Sequence, residues 1–452
     1  MKVGLKVILF LGIIAICVVA PWLFFYEGKY VPSPVGKPGY EDITVAPTPH
    51  PGKFTDVYRE GEGMVIVDLA HGNNFTLAEL NPLRLRIISR GYNIEYLQKE
   101  EEEEAKRSVS EKLEEKLRLA DALVVILPAA SYSEEEVKLV TEFIDKGGKL
   151  LLIADPTRPS KVNRLSSEFG LVFESGYLYN LKENEGNFRN IFIYQFGAND
   201  LTKNLSKIVL YTAGYISPAT NGIALTDDNT LASITEAKGR LSPIALSSNS
   251  KVLAISDLTF MTEPHNMVYD NNQFVSNIAD WLAESERIFL LSDFPHCISH
   301  DVSIAYTDPS VLDMATRLKV LLTDMGKEAE ISQREAPIAL SQDTVFLGLF
   351  KETEAVKSYL DEADISITTE KELITIEIGG MGKVYKEGTS LIYLSDEVSK
   401  RLLLILADTE DMLEETVDLL QKGEFRQWLV TDRLAICRSK EIAEAEPPKN
   451  EK

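Results

Sequence analysis

The sequence predicts an α/β protein with an N-terminal transmembrane helix, a doubly wound, mainly parallel sheet domain and a second, smaller α/β domain. Three observations lead to this prediction. Residues 7–26 carry no charge, strands and helices alternate from Met64 onward, and 452 residues are too many for one hydrophobic core. The expected segments are a transmembrane signal anchor at 1–27, a Pro-rich linker at 28–60, a first α/β domain at 61–285, a second at 286–440 and a disordered tail at 441–452.

The uncharged stretch at 7–26 is long enough to cross a bilayer as a helix of about 30 Å. Lys2 and Lys6 precede it, which favours a cytoplasmic N-terminus. A cleaved signal peptide is the alternative, but Pro21 would follow the cut and disfavours cleavage. We therefore expect a single-pass cell-membrane protein whose globular part is extracytoplasmic.

Two segments are expected to stay unfolded. The linker contains six prolines between Pro32 and Pro51, which makes it a semi-rigid spacer that holds the globular part away from the membrane. The tail is charged and contains Pro447 and Pro448, a composition typical of disorder.

In the first domain the alternation of strands and helices demands right-handed crossovers and helices on both faces of the sheet. Two capping boxes mark helix starts: Thr76 with Glu79, and Ser133 with Glu136. We predict strands at 64–69, 93–97, 122–127, 149–154 and 251–256, helices at 76–90, 110–119, 133–147 and 272–282, and short strands at 191–196 and 207–212 within an irregular region.

The second domain shows the same mixture with less regular order, and no convincing sequence repeat relates it to the first. We predict strands at 288–291, 302–306, 344–349, 373–378, 390–394, 402–406 and 428–430, and helices at 309–325, 352–361 and 410–421.

The charge and the cysteines restrict the function. A formal net charge of −23 disfavours a nucleic-acid partner and adhesion of the globular part to anionic lipid. Outside the cytoplasm Cys297 and Cys437 could form a disulfide across a loop of about 140 residues. Two separate buried thiols are the alternative, and the sequence leaves both open.

One run of the first domain, LADALVVILPAASYSEEEVKLVTEFIDKGGKLLLIADP, resembles the central part of class I glutamine amidotransferase-like domains, which have flavodoxin-like folds. A later segment, ISDLTFMTEPHNMVYDNNQFVSNIADWL, resembles uncharacterised membrane-anchored members and the auxiliary subunits of gliding-motility-type ABC transport systems. The resemblance covers about residues 63–283, and residues 286–440 show none. It implies a flavodoxin-like fold and a membrane-protein or ABC-transporter partner.

The sequence departs from this family where the chemistry would occur. Amidotransferases of this class carry a nucleophilic cysteine on a sharp strand-to-helix turn, and a thiol needs a nearby base. No cysteine occurs between Met64 and Trp281, and the turns after strands carry Pro128-Ala129 or Asp155-Pro156. Amidotransferase or thiol-protease chemistry is therefore not expected in this domain.

Polar residues follow the predicted parallel strands, at the edge where doubly wound folds bind ligands. They could form a ligand pocket, act as acid and base, or cap helices and tie loops through backbone N–H groups. No spacing matches a metal motif, and we expect no cofactor. The candidate ligand-binding residues are Asp68, His71, Asn73, Asn74, Asp155, Arg158, Asp257, His265 and Asn271.

The sequence favours one function and leaves others open. The favoured one is a membrane-anchored extracytoplasmic protein whose catalytically degenerate amidotransferase-like domain acts in ligand binding or in envelope or transporter assembly. The alternative is a hydrolase that uses Asp68, His71 and Asp257 in a cleft at the strand ends. A third interpretation assigns the activity to the second domain and makes the first a scaffold.

Overall fold

The computed structural model describes residues 3–25, 54, 56, 58, 61–99, 107–284, 286–299, 301–334, 340–367, 373–376, 382–395 and 400–439. The chain forms two units, Met1–Thr48 and Pro49–Lys452. Most of the predicted linker at 28–60 and the whole predicted tail at 441–452 lie outside the described residues.

In the first unit the described residues form one helix, α1, at Val3–Phe25. Its stretch Val3–Leu23 has a mean hydropathy of 2.8, and none of it is buried in the protein. By length and composition α1 is the one helix of the described residues that could cross a membrane, as an anchor or as a signal sequence. The prediction of an apolar helix at 7–26 is confirmed for residues 7–25, residue 26 lies outside the described residues, and the helix begins earlier, at Val3.

The second unit begins with an alternation of strands and helices. Its helices here are α2 at Leu77–Ser89, α3 at Val109–Leu117, α4 at Glu134–Asp145, α5 at Asn163–Ser166 and α6 at Asn271–Ala283. Its strands are β1 at Gly63–Asp68, β2 at Tyr92–Leu97, β3 at Ala122–Ile126, β4 at Lys149–Ile153, β5 at Val172–Phe173, β6 at Leu178–Asn180, β7 at Asn190–Ile193, β8 at Gln195–Phe196, β9 at Ile208–Tyr211, β10 at Ile216–Ser217, β11 at Gly222–Leu225, β12 at Thr230–Ala232, β13 at Ile244–Leu246 and β14 at Val252–Ile255.

Eight of these strands form one sheet in the order β2-β1-β3-β4-β14-β13-β11-β8. The pairs from β2 to β14 are parallel, and the last three strands are added antiparallel. The parallel part has the order of a flavodoxin-like sheet, in which the first strand lies between the second and the third. The prediction of a mainly parallel α/β sheet is therefore confirmed.

Side chains alternate between the two faces of this sheet, and both faces are covered. Val65 and Val67 pack with α2 and α6 on one face, whereas Ile66 packs with α3 and α4 on the other. The helices that follow β1 and β3 consequently lie on opposite faces. Both predicted capping boxes form: the Thr76 amide donates to Glu79 at 2.8 Å, and the Ser133 amide donates to Glu136 at 2.7 Å.

The irregular region between β4 and β13 forms three two-stranded sheets, β5 with β10, β6 with β12, and β7 with β9. The predicted strands at 191–196 and 207–212 correspond to β7, β8 and β9. The strands β8 and β11 of this region belong to the eight-stranded sheet, and β9 is held to it by side-chain contacts.

The rest of the unit contains three α-helices and ten strands among the described residues. The helices are α7 at Leu312–Asp324, α8 at Lys357–Glu362 and α9 at Glu410–Lys422. The strands are β15 at Asp301–Tyr306, β16 at Glu328–Gln333, β17 at Asp343–Leu349, β18 at Ile365–Ile367, β19 at Leu373–Ile376, β20 at Gly382–Tyr385, β21 at Thr389–Leu394, β22 at Leu402–Ala407, β23 at Leu429–Thr431 and β24 at Leu434–Arg438.

Seven of these strands form a second sheet in the order β16-β15-β17-β22-β21-β24-β23, and β18, β19 and β20 form a separate three-stranded sheet. The first three pairs of the second sheet are parallel, so its parallel strands follow the same 2-1-3-4 order as the first sheet.

One predicted strand of this part is wrong, and one predicted helix is only partly correct. Residues 288–291 form no strand, because the Ile288 amide donates to Lys146 and the Leu291 amide donates to Asp432, which leaves the segment a connection between the two sheets. The predicted helix at 352–361 is a 3₁₀ helix at Phe350–Val356 followed by α8.

The cysteines of the second sheet do not pair with each other. Cys297 and Cys437 are free thiols, both completely buried in the same core. Burial raises the pKa of each thiol to about 12. The structure therefore contains two separate buried thiols in place of the disulfide.

Candidate functional site

The first strand of the first sheet ends at Asp68, between the carboxyl ends of β2 and β3. The chain leaves β1 toward one face of the sheet and leaves β3 toward the other, which makes this the topological switch point. Ligands of open α/β sheets bind in the crevice that forms there. Asp68 and the loop after it thus lie at the expected position of a ligand site.

Asp68 is completely buried and accepts several hydrogen bonds. His71 Nδ1 lies 3.0 Å from both of its carboxylate oxygens. The Tyr132 hydroxyl donates to Oδ2 at 2.8 Å, and Asn73 Nδ2 donates to the same oxygen at 3.2 Å. The Ala70 backbone amide donates to Oδ1 at 3.0 Å, so the carboxylate is saturated by groups of its own chain.

The imidazole of His71 is enclosed in the same way. Its Nε2 lies 3.4 Å from Glu136 Oε1, so that each ring nitrogen faces a carboxylate. The Tyr132 ring stacks on the imidazole with centroids 3.9 Å apart and an angle of 10°. We call Asp68, His71, Asn73, Tyr132 and Glu136 the switch-point cluster.

The cluster holds His71 in its charged form. Burial alone would lower the pKa of His71, but hydrogen bonds to Asp68 and Glu136 outweigh it and raise this pKa to about 9. Burial would raise the pKa of Glu136, but the hydrogen bonds from His71 and Ser133 lower it to about 2. At neutral pH an imidazolium ion thus lies between two carboxylates, and it has no free lone pair with which to act as a base.

Hydrogen bonds to backbone carbonyls close the crevice further. Asn73 Nδ2 donates to the Ile126 carbonyl at 2.8 Å, and the Asn74 amide donates to the Leu127 carbonyl at 2.9 Å. The His71 carbonyl accepts from the Ala129 amide at 3.0 Å. The loop after β1 is therefore fastened to the loop after β3, across the place where a ligand would enter.

The turn after β3 begins at Leu127, whose φ of +47° is in the left-handed region. This conformation is costly for a residue with a branched side chain, by about 1–3 kcal/mol, and such strain is typical of nucleophile elbows. The Leu127 side chain is completely buried in the core. A sharp turn therefore exists at the end of β3, with an aliphatic residue at its strained position.

A second group of predicted residues attaches the irregular region to the sheet. Asp257, completely buried, accepts from the Tyr211 amide at 2.7 Å and the Thr259 amide at 2.8 Å. Asn271 donates to the Val209 carbonyl and accepts from the Val209 amide, both at 3.0 Å. These two side chains hold β9 against the carboxyl end of the sheet.

The carboxylate of Asp155 lies beside Asp257 and also accepts hydrogen bonds from backbone amides. It accepts from the Thr157 amide at 2.9 Å and the Leu258 amide at 3.3 Å. Burial, followed by the charge of Asp155, raises the pKa of Asp257 well above its usual value.

The remaining predicted residues are less buried. Arg158 pairs with Glu79 at 2.5 Å and donates to the Asn74 carbonyl at 3.2 Å. His265 is half-buried and meets the Tyr211 ring edge-on at 4.5 Å. Burial lowers the pKa of His265.

Three residues of this edge were not predicted. Glu136 was assigned only to a capping box, which it forms through its other carboxylate oxygen. Tyr132 and Leu127 had no signal in the sequence, because an aromatic and an aliphatic residue are ordinary near a buried strand. Sheet formation brings Tyr132 to Asp68, Glu136 to His71 and the Leu127 carbonyl to the Asn74 amide.

The structure also has a cleft of about 680 Å³ between α3, α4 and the connection to the second sheet. This volume is within the range of small-molecule pockets. Its wall includes Arg287, which pairs with Asp293 at 3.3 Å, and Lys146. Charges of both signs line it. Within the described residues, no group of three or more His, Cys, Asp or Glu side chains could hold a metal ion.

No protein-family model matches the chain, and a search of curated proteins finds no match. Among solved structures, the chain is similar to the mmIFT52 N-terminal domain, with 13% identity, a TM-score of 0.40, and coverage of 49% of this chain and 98% of that one. A putative ThuA-like protein from Parabacteroides merdae matches with 12% identity, a TM-score of 0.30, and coverage of 50% and 91%. PurLQS from Thermotoga maritima matches with 12% identity, a TM-score of 0.28, and coverage of 49% and 99%. Glutamine amidotransferase-like folds are thus among the matched structures.

Proposed function

We propose that this protein is a membrane-anchored extracytoplasmic protein whose amidotransferase-like domain has lost its catalytic centre and acts in binding or assembly. The observation that supports this most is the closed switch point. The switch-point cluster uses its polar groups on one another, and Leu127 occupies the strained turn after β3.

The chemistry of the strand ends supports a non-catalytic role. An amidotransferase needs a thiolate and a base that can accept its proton. In the first sheet and its helices there is no cysteine, and His71 has both nitrogens directed at carboxylates. Asp257, the third residue of the hydrolase alternative, has its oxygens occupied by backbone amides.

Ligand binding at this edge would depend on the residues that remain accessible. Asp68, His71, Asp155, Asp257 and Asn271 are buried. A ligand at the rim would meet the exposed or half-buried side chains, which are Asn73, Asn74, Arg158 and His265.

The helix α1 supports the proposed location, and the net charge bears on the partner. We propose that α1 anchors the chain in the cell membrane with its N-terminus in the cytoplasm, because Lys2 and Lys6 are at its start. The partner would be a membrane protein or an ABC transporter of the envelope. A net charge of −23 argues against nucleic acid.

Reporter fusions at the C-terminus of the full chain test the location. We expect alkaline phosphatase to be active there and green fluorescent protein to be dark, because the first folds outside the cytoplasm and the second does not. A fusion that lacks residues 1–26 is the control and should reverse both results. A fluorescent full-length fusion with inactive phosphatase would overturn the topology.

A hydrolysis assay tests the loss of catalysis. The full chain in detergent is incubated with glutamine and with p-nitrophenyl esters, and product release is compared with buffer and with the H71Q variant. We expect no difference between the three. Turnover that H71Q abolishes in a folded protein would establish the hydrolase alternative.

A further inference from the structure

Helix α2 exposes three large aliphatic side chains on one face. Leu77 is 45% exposed, Leu85 59% and Ile88 48%. At about 100° per residue these positions lie within an arc of about 80°. The opposite face, with Leu80 and Leu83, is completely buried in the core. The exposed side chains therefore form an apolar stripe, interrupted by Asn81 and Arg84, along a helix that already has a full inner contact.

A cation without a partner lies in this stripe. Arg84 makes no ion pair or hydrogen bond with the described part of the chain, and its Nε is buried and unpartnered. The other two arginines at this helix are both engaged. Arg86 also has an Nε without a hydrogen bond, but it lies 3.4 Å from Asp56 and donates to the Pro82 carbonyl and to Asn272, both at 2.7 Å. Arg90 lies 2.9 Å from the same Asp56 carboxylate. The fold thus places a carboxylate beside the guanidinium groups of Arg86 and Arg90. Arg84, which lies on the apolar stripe, has no carboxylate partner among the described residues.

We propose that this surface, the α2 face, binds an amphipathic helix of a partner protein that places a carboxylate against Arg84. The α2 face consists of Leu77, Asn81, Arg84, Leu85 and Ile88. A helix of 13 residues is about 20 Å long, which suits ridges-into-grooves packing with one partner helix. This inference rests on the proposed function, because it names the surface through which assembly would occur.

Charge complementarity favours such a partner over a second copy of this chain. The α2 face contains a cation and no acid, because Glu79, the acidic residue of the same helix, pairs with Arg158. Two copies that packed these faces together about a two-fold axis would bring two Arg84 side chains into one apolar interface with nothing to neutralise them. A partner that supplies the missing carboxylate has no such penalty.

Site-directed photocrosslinking in native membranes tests the proposal. A photoreactive benzoylphenylalanine replaces Leu85 in the full-length, C-terminally tagged chain, and the same residue in place of Ile234, which is 64% exposed after β12, is the matched control. We expect a cross-link at Leu85 and none at Ile234. Mass spectrometry of the cross-linked peptide should identify an amphipathic helix with Asp or Glu on its apolar side.

Charge variants then test the role of Arg84. R84E should reduce the cross-link by about tenfold or more, R84K should retain it, and reversal of the partner's carboxylate to Arg should restore it with R84E. A cross-link to a second copy, no cross-link at Leu85, or a cross-link that R84E leaves unchanged would each overturn the proposal. The reporter fusions are independent of α2, so a failure here with intact topology refutes this surface and not the proposed location.

Discussion

Removal of the imidazolium of His71 should abolish a specific pH dependence of stability. The pKa of His71 is about 9 in the folded protein, compared with about 6.5 for an unperturbed histidine. Since the folded pKa is raised, its stabilisation is fully present below pH 6.5 and is lost as the pH rises through about 9. The difference of about 2.5 units corresponds to about 3 kcal/mol. The lowered pKa of Glu136 reflects the same interaction with His71, so its free energy is not added to the value of about 3 kcal/mol.

The assay is hydrogen–deuterium exchange of the peptide that covers residues 64–75, in the full chain in detergent. Exchange reports the local opening of this loop and does not require the two sheets to unfold together. After correction for intrinsic rates, the wild-type chain should lose about 3 kcal/mol of opening free energy between about pH 6 and pH 10, whereas H71Q should change by less than about 1 kcal/mol. The matched control is H265Q, which lies outside the switch-point cluster and should keep the wild-type dependence.

Two results would refute this reasoning. One is a wild-type opening free energy that is constant over this pH range, which would mean that Asp68 and Glu136 do not hold the proton on His71. The other is the same pH dependence in H71Q, which would assign the titration to another group.

Three further predictions concern contacts elsewhere in the fold. Y132F keeps the ring on the imidazole but removes the hydroxyl that binds Asp68, so denaturant unfolding should show a loss of about 1–3 kcal/mol; no loss would mean that this hydrogen bond is replaced by water. N271A removes the side chain that joins β9 to the sheet, so exchange at residues 208–211 should rise by about tenfold or more, while exchange in β1 stays constant. Cys297 and Cys437 should react with a thiol reagent only after denaturation without reductant, whereas a denatured chain that is labelled at Cys17 alone would contain the disulfide.

Local signals in the sequence predicted local structure well. The capping boxes at Thr76 and Ser133 were found because both partners lie within one helical turn, and the same hydrogen bonds form in the fold. The apolar runs at β3 and β4 were found because a central parallel strand is buried on both faces. The predicted strand at 288–291 was wrong for a non-local reason. An apolar segment forms a strand only if a neighbouring strand offers a free edge, and the amides of this segment bind other parts of the chain.

The candidate site could be predicted from the sequence only in part. The carboxyl ends of the strands could be located from the βαβ order, which placed Asp68, His71 and Asn73 together. The function of these side chains could not be read, because it depends on Tyr132 and Glu136, more than 60 residues further along the chain. Whether a buried aspartate binds a ligand or its own chain is decided by the partners that packing brings to it.

By itself the sequence determined the α/β class, the apolar N-terminal helix and the absence of a thiol from the first sheet, because each depends on composition or on contacts within a few residues. Only the tertiary structure decided that the switch point is closed, that Leu127 holds the strained turn, and that Cys297 and Cys437 remain separate. It also decided that the α2 face has no partner within the described chain. The lack of a carboxylate beside Arg84 becomes visible only once Asp56 is seen to pair with Arg86 and Glu79 with Arg158. Such properties arise from pairs of residues far apart in the chain, and the order of strands in a sheet sets which pairs meet.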